Sequence, residues 1–130
     1  MKYICDTNFI IRYLTADNNE MFQQTKVLFD QAKVGAVTLV IEQAVFAEVI
    51  FVLSSLYKVP KDKIVETLSE LLAYKGIDSD KDVLLPALNY YLQQNNHIVD
   101  CLLIAKSKSS NYPILWFDQA LNKNLAKDVE

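Results

Sequence analysis

The sequence predicts a single α/β domain with a central parallel sheet, and three observations support the fold class or the single domain. Short β-branched segments alternate along the chain with longer segments of helical period. The 130 residues fit one compact domain, with 52% hydrophobic and 22% charged residues, a balance that excludes bulk disorder. The chain has no internal repeat, low-complexity tract or Pro/Ser-rich linker. We therefore expect a single domain over residues 1–130.

The first strand and the two helices after it are predicted from their ends. Residues 2–5 form a short apolar run, which predicts a strand. The run stops at Asp6-Thr7-Asn8, a sequence typical of a helix start. The first helix is predicted from Asn8 to about residue 15, a segment with several apolar side chains. A second helix is predicted over about residues 20–33, and Gly35 is expected to end it.

The middle of the chain contains a second strand and two helices of different character. Residues 37–41 are β-branched and short, as in a strand. Residues 43–57 are apolar on almost every side, which predicts a helix buried on several faces or lying at an interface. Pro60 opens the next helix, which has one apolar stripe and is expected to close at Gly76.

The last third of the chain continues the alternation. A short strand is predicted over residues 77–79, followed by a helix that Asp82 caps and that keeps Pro86 in or near its first turn. Another helix is predicted over residues 98–110 and another strand over residues 113–117. Strands that alternate with helices in this way indicate a parallel sheet covered on both faces, which is a three-layer α/β/α architecture.

The rare residues exclude several classes of function. Two glycines cannot form a Gly-rich phosphate-binding loop, and one histidine, His97, with two cysteines is too few for a Cys/His zinc site. Cys5 and Cys101 lie in apolar runs and are expected to be buried and reduced. Without a signal peptide or a membrane span, we expect a cytoplasmic protein with no membrane partner. The net charge of −3 argues against attraction of nucleic acid by overall charge.

Four of the sixteen acidic residues have an unusual context. Asp6 and Asp118 each follow a predicted strand, at the edge where parallel-sheet proteins place their sites. Glu48 has only apolar neighbours one helical turn away, and Asp100 stands between Val99 and Cys101. Each also has an ordinary explanation. Asp6 and Asp118 could be helix caps, Asp100 could interact with the helix dipole, and Glu48 could pair with a lysine or arginine.

If these four side chains converge, they need a cation. Unit charges about 4 Å apart repel each other by about 4 kcal/mol near a protein surface. Hard oxygen ligands with no His or Cys among them favour Mg²⁺ or Mn²⁺. Such ions activate water and neutralise the transition-state charge of a phosphodiester.

The residues around the four acids resemble a PIN domain. Asp6-Thr7-Asn8 precedes Ile-Ile-Arg, and Glu48 is the lone acid of an apolar helix. Asp100 begins Asp-Cys-Leu-Leu-Ile-Ala, and Asp118 ends Ile-Leu-Trp-Phe-Asp. Over essentially the whole chain, length and layout also resemble the small toxins of VapC-type toxin–antitoxin pairs.

The resemblance implies an Mg²⁺-dependent (or Mn²⁺-dependent) endoribonuclease that cleaves RNA with metal-activated water. It further implies a homodimer silenced by a cognate antitoxin. Four residues carry over as the catalytic, metal-ligating acids, with the first and third as principal ligands: Asp6, Glu48, Asp100 and Asp118. Three residues carry over as supporting or substrate-binding groups: Thr7 or Asn8, which would hydrogen-bond Asp6, and Arg12, which would meet phosphate.

Two departures and two alternatives accompany this resemblance. Relatives often have an acid where this chain has His97 and a small hydroxyl residue where it has Trp116. One alternative is a degenerate PIN-like module that binds RNA or a partner without cutting. The other is a phosphatase of haloacid-dehalogenase type, although that chemistry wants a second Asp where Asn8 stands.

Overall fold

Three short parallel strands form the sheet of this protein, whose computed structural model describes residues 1–117. The strands are β1 (Lys2–Ile4), β2 (Thr38–Val40) and β3 (Ile77–Asp78), in the order β1-β2-β3. Ile4 pairs with Val40, and Val40 pairs with Asp78. Because the strands are parallel and in this register, their carboxyl ends meet at one edge of the sheet.

Six helices accompany the sheet within residues 1–117. They are α1 (Thr7–Thr15), α2 (Asn19–Lys33), α3 (Gln43–Ser55), α4 (Lys61–Leu72), α5 (Lys81–Gln93) and α6 (Ile98–Ser110). A parallel sheet with these six helices is consistent with a three-layer α/β/α fold, so the predicted fold class is confirmed.

Backbone contacts divide the chain into two compact units. The first is Met1–Lys81, which contains the sheet and α1 to α4, and the second begins at Asp82. The single domain expected over residues 1–130 stays a prediction.

The first unit is built on buried aliphatic and aromatic side chains. Leu39 of β2 is fully buried, as are Phe29 of α2 and Phe46 of α3. The Tyr13 ring of α1 stacks on Phe29 with centroids 4.1 Å apart, and its hydroxyl lies 2.8 Å from the hydroxyl of Tyr74. Burial raises the pKa of Tyr13, and the contact with Tyr74 adds to this effect. These contacts fix α1 against α2.

Gly76 is required by a close approach of two backbones, not by a helix end. The preceding helix ends at Leu72, so Gly76 does not close it as predicted. Its N–H donates to the Ala32 carbonyl at 2.7 Å, and its own carbonyl accepts from Leu39 at 2.8 Å. A Cβ there would lie 2.1 Å from the carbonyl oxygen of Val37. Only glycine fits where α2, β2 and β3 approach each other this closely.

In the second unit, both helices bury a set of mostly apolar side chains. The buried residues of α5 are Val83, Leu84, Ala87, Leu88 and Tyr91, and those of α6 are Ile98, Cys101, Leu102, Ile104, Ala105 and Ser107. The predicted bounds of α6 are those observed. Helix α5 begins one residue before Asp82, which lies in its first turn and does not cap it, and Pro86 lies beyond the first turn.

The predicted strand over residues 113–117 is wrong. These residues follow Asn111, which ends α6 in the left-handed conformation at φ 63°, and they form no strand. Leu115 and Phe117 are almost fully exposed, at 98% and 101%. β-Branched and aromatic residues favour an extended chain, but a strand also requires a neighbouring backbone to pair with, which composition does not specify.

No helix within residues 1–117 is long and apolar enough to cross a membrane.

Candidate functional site

Asp6 is the first residue after the β1–Cys5 segment, at the carboxyl edge of the sheet. It is exposed, and its backbone is extended, at φ −89° and ψ 172°. It is the N-cap of α1, and its Oδ1 accepts a hydrogen bond from the Phe9 N–H at 2.8 Å. Among the described residues, neither the Thr7 nor the Asn8 side chain donates a hydrogen bond to Asp6. Within residues 1–117, Oδ2 of Asp6 accepts no hydrogen bond, so one carboxylate oxygen is capped and the other is free.

Cys5 stands next to Asp6 and does not compete with it as a ligand. Both cysteines, Cys5 and Cys101, are buried and free of disulfides, as the sequence predicts. Burial, followed by the neighbouring Asp6 charge, raises the pKa of the Cys5 thiol to about 11. Because Cys5 is buried, its sulfur is not presented at the surface beside Asp6. The exposed donor at this edge is the Asp6 carboxylate, a hard oxygen ligand that fits Mg²⁺ or Mn²⁺.

Glu48 lies on the exposed side of α3. The core face of this helix consists of Phe46, Val49, Ile50 and Leu53. Glu48 itself is exposed, as is Phe51 at 63%. The apolar neighbours of Glu48 one helical turn away lie outside this core face, so its carboxylate is not buried among them. Glu48 makes no ion pair with any residue in 1–117.

Asp100 lies in the first turn of α6, in the second unit, and is half-buried. It makes no hydrogen bond or ion pair with a side chain in the described part of the chain. His97 is the N-cap residue of this helix, but it is exposed and its side chain makes no capping bond. Asp118 lies outside the described residues.

Arg12 is bound by an acidic residue that the sequence did not single out. Its Nη1 donates to Oδ1 of Asp17 at 3.1 Å. The hydroxyl of Tyr57 donates to Oδ2 of the same carboxylate at 2.8 Å, and Thr15 Oγ1 lies 3.1 Å from Oδ1. The Tyr57 bond, followed by those of Arg12 and Thr15, lowers the pKa of Asp17, and the bond to Asp17 raises the pKa of Tyr57. This cluster holds Arg12 with one N–H engaged.

An open cleft of about 240 Å³ lies between α1 and α2 and brings three of the predicted residues together. It is lined by Asp6, Asn8, Phe9, Arg12, Met21, Gln24 and Thr25, and we name it the Asp6 cleft. The sequence did not identify Met21, Gln24 or Thr25. Their i, i+3, i+4 spacing indicates a shared helix face, but spacing alone does not show which other helix that face meets.

Within residues 1–117, no group of three or more His, Cys, Asp and Glu side chains could hold a metal ion. This finding does not include Asp118. The prediction that Asp6, Glu48, Asp100 and Asp118 act at one metal site therefore stays a prediction.

Comparison with known proteins gives one match. The sequence model of the PIN domain family matches residues 3–125, nearly the whole chain. No curated protein and no solved structure matches it.

Proposed function

The chain belongs to the PIN domain family, and from this premise we propose that it is an Mg²⁺-dependent endoribonuclease. PIN domains are generally metal-dependent, RNA-binding nucleases, and those enzymes usually use Mg²⁺ or Mn²⁺. More narrowly, we propose the toxin of a type II, VapC-type toxin–antitoxin pair, acting on RNA in the cytoplasm. One domain over residues 1–130 is part of this proposal, because the family match runs through the boundary between the two compact units.

The position of Asp6 is the main structural support for the proposal. An exposed carboxylate at the carboxyl edge of a parallel sheet, capped at one oxygen and free at the other, stands where such folds place their sites. We propose Asp6 and Asp100 as the principal metal ligands, with Glu48 and Asp118 as the further acids. A bound Mg²⁺ would activate water and offset the charge of the phosphodiester.

The remaining residues bind and orient the substrate. Asp17 engages one N–H of Arg12, and a guanidinium has five, so the others are available to RNA phosphate oxygens. The Phe9 N–H keeps the Asp6 carboxylate in a fixed orientation. Thr7 and Asn8 are proposed to support Asp6 once substrate and metal are bound.

The proposed protein partners are a cognate antitoxin and a second copy of the chain. Exposed apolar side chains on and just after α3 support an interface there, with Phe51 exposed at 63% and Leu56 at 73%. Phe46 and Phe29 are core residues and are not available for such contacts. Light scattering of the purified chain should show a dimer.

The family match favours a nuclease over the phosphatase alternative. A degenerate module that binds RNA or a partner without cutting is the alternative that the cleavage experiment tests. Such a module would bind Mg²⁺ poorly and leave RNA intact.

Asp100→Asn should lower Mg²⁺-dependent cleavage of single-stranded RNA by roughly 100-fold or more, because metal-ion stabilisation of a transition state is worth several kcal/mol. Asp82→Asn is the matched control, since Asp82 is also in the first turn of its helix and is exposed. Gel assays with and without EDTA measure the rates.

Asp6→Asn should have the same effect as Asp100→Asn, and asparagine caps a helix as well as aspartate does, so α1 keeps its N-cap. Full activity in both variants would contradict the assignment of these acids. If wild-type protein shows no cleavage and no Mg²⁺ binding, the degenerate alternative is correct.

A further inference from the structure

We propose that the Asp6 cleft binds one unpaired base of the RNA substrate, with Phe9 and Met21 as its apolar wall and Gln24 as the group that reads the base edge. The inference rests on the proposed function, because it assigns the substrate contacts beside Asp6. It adds a base-binding subsite that acidic metal ligands by themselves do not provide.

The apolar wall suits a planar ring. Phe9 is half-buried, and its ring stacks on Phe29 at a centroid distance of 5.6 Å, which holds it in place. Met21 of α2 is 44% exposed and lines the same cleft. Aromatic rings bind bases by stacking regardless of sequence, because every base has a π-face. A flexible thioether such as Met21 adapts to rings of different size.

Two amide side chains stand beside this wall with their hydrogen-bonding capacity unused. Asn8 and Gln24 line the cleft, both are exposed, and neither side chain makes a hydrogen bond within residues 1–117. An amide presents a donor and an acceptor together, which matches the donor–acceptor edges of unpaired bases. Gln24 belongs to α2, whereas Asp6 caps α1. A base bound by Gln24 would therefore leave the cap at Asp6 intact.

Charge and size favour a nucleotide over a protein segment. Arg12 supplies cationic N–H groups in the cleft that also contains Asp6, so a bound base has a phosphate-binding group and the proposed metal ligand beside it. A volume of about 240 Å³ lies below the roughly 300–1,000 Å³ of sites for drug-sized ligands. One base fits such a space, and only a single strand offers a base free to enter it.

The test compares neighbouring glutamines of α2. Gln24 lines the cleft, whereas Gln23 is exposed and does not. For cleavage of short single-stranded RNAs that differ at one base, Gln24→Ala should raise KM roughly 3- to 10-fold with little change in kcat, as expected for one lost hydrogen bond. It should also weaken the preference among the bases. Gln23→Ala should leave both quantities unchanged.

A second pair of variants tests whether a negative charge in the cleft weakens RNA binding. Met21 is the third residue of α2, after its N-cap Asn18, a position where glutamate is favourable for the helix. Met21→Glu should therefore fold normally but weaken RNA binding at least as much as Gln24→Ala, because it adds an anion to the cleft. Gln23→Glu adds the same charge on the same helix outside the cleft and should have a smaller effect.

Binding without catalysis separates this inference from the proposed function. The four nucleoside monophosphates are titrated into Asp6→Asn protein without metal, and NMR shifts of the Gln24 and Asn8 side-chain amides are followed. Shifts that Met21→Glu abolishes support the subsite even if no RNA is cleaved. If RNA is cleaved but the Gln24 and Met21 variants behave like their Gln23 controls, the subsite is wrong and the nuclease stands. If the cleft binds a protein and none of the four nucleotides, the proposed base-binding subsite is also wrong.

Discussion

At the scale of single residues, Asp17 shows how an exposed carboxylate can organise its surroundings. It accepts hydrogen bonds from Arg12 and Tyr57, and Tyr57 is forty positions away along the chain. The bond from Tyr57 lowers the pKa of Asp17, and the same bond raises the pKa of Tyr57. The two shifts share their largest cause, because this bond is strongest while Asp17 is ionised and Tyr57 is protonated. Asp17 is thus a positioning residue for Arg12.

The pH dependence of this pair follows from the signs of the shifts. The depressed pKa of Asp17 gives stability that is present above the unfolded carboxyl value of about 3.9 and lost as pH falls through the folded pKa. The raised pKa of Tyr57 gives stability that is present below the unfolded value of about 10 and lost as pH rises through the folded pKa. The contact therefore contributes fully between these two limits.

Asp17→Asn should bring the pKa of Tyr57 back toward about 10, because the neutral amide removes the charge that opposes tyrosinate formation. NMR titration of labelled tyrosine rings measures the shift. Asp80→Asn, also at an exposed position, is the control and should leave Tyr57 as it is in the wild type. An unchanged Tyr57 pKa in Asp17→Asn would show that the contact does not persist in solution.

At the scale of elements, α1 connects the candidate site to the rest of the first unit. It begins at the Asp6 cap and ends at Ala16, whose backbone is left-handed at φ 52° and ψ 30°. A residue with a Cβ pays about 1–2 kcal/mol for this conformation, and glycine does not. The sequence did not reveal the strain, since no glycine or asparagine marks this helix end.

Ala16→Gly should therefore stabilise the protein by about 0.5–1 kcal/mol, after subtracting the greater entropy that glycine has in the unfolded chain. The matched control is Ala73→Gly, because Ala73 ends α4 in the right-handed conformation, where glycine relieves no strain. Urea unfolding of both variants gives the two free energies. A loss of stability at position 16 equal to that at position 73 would be the contrary result.

The helices were predictable as elements, whereas the last strand was not. Helix ends carry local signals, such as Asn18 before α2 and Pro60 before α4. The segment over residues 113–117 has strand-like composition, but pairing is decided by another part of the backbone. Glu48 shows the same limit within one helix. Its apolar neighbours were visible in the sequence, but which face of α3 is the core face was not, because α3 is apolar nearly all round.

At the scale of the whole molecule, the net charge of −3 acquires a different meaning. If the four proposed acids belong to a metal site, removing their four negative charges from −3 leaves +1 for the rest of the chain. The negative charge that opposes RNA binding is then concentrated at that site and is not spread over the whole chain. Bound divalent metal would be a condition for RNA to approach it.

Mg²⁺ should accordingly raise the melting temperature of the protein, because a ligand that binds only the folded state adds about 2.7 kcal/mol at one hundred times its Kd. Asp100→Asn should lose most of this rise, while Asp82→Asn should keep it. Thermal unfolding monitored by circular dichroism, with and without Mg²⁺, gives the shifts. Equal shifts in both variants would remove Asp100 from the proposed ligands.

The pattern of residues along the chain was enough to predict the α/β class, the order of the helices and most of their ends, and it left a helix cap at Asp6 as one of two explanations. These features depend on residues close together in the chain, through periodicity and capping. The tertiary structure decided which surfaces meet: α1 with α2 at the Asp6 cleft, and Asp17 with Tyr57 around Arg12. It also placed Glu48 on the exposed side of α3. Such outcomes depend on how distant segments pack, and no local pattern of residues encodes that.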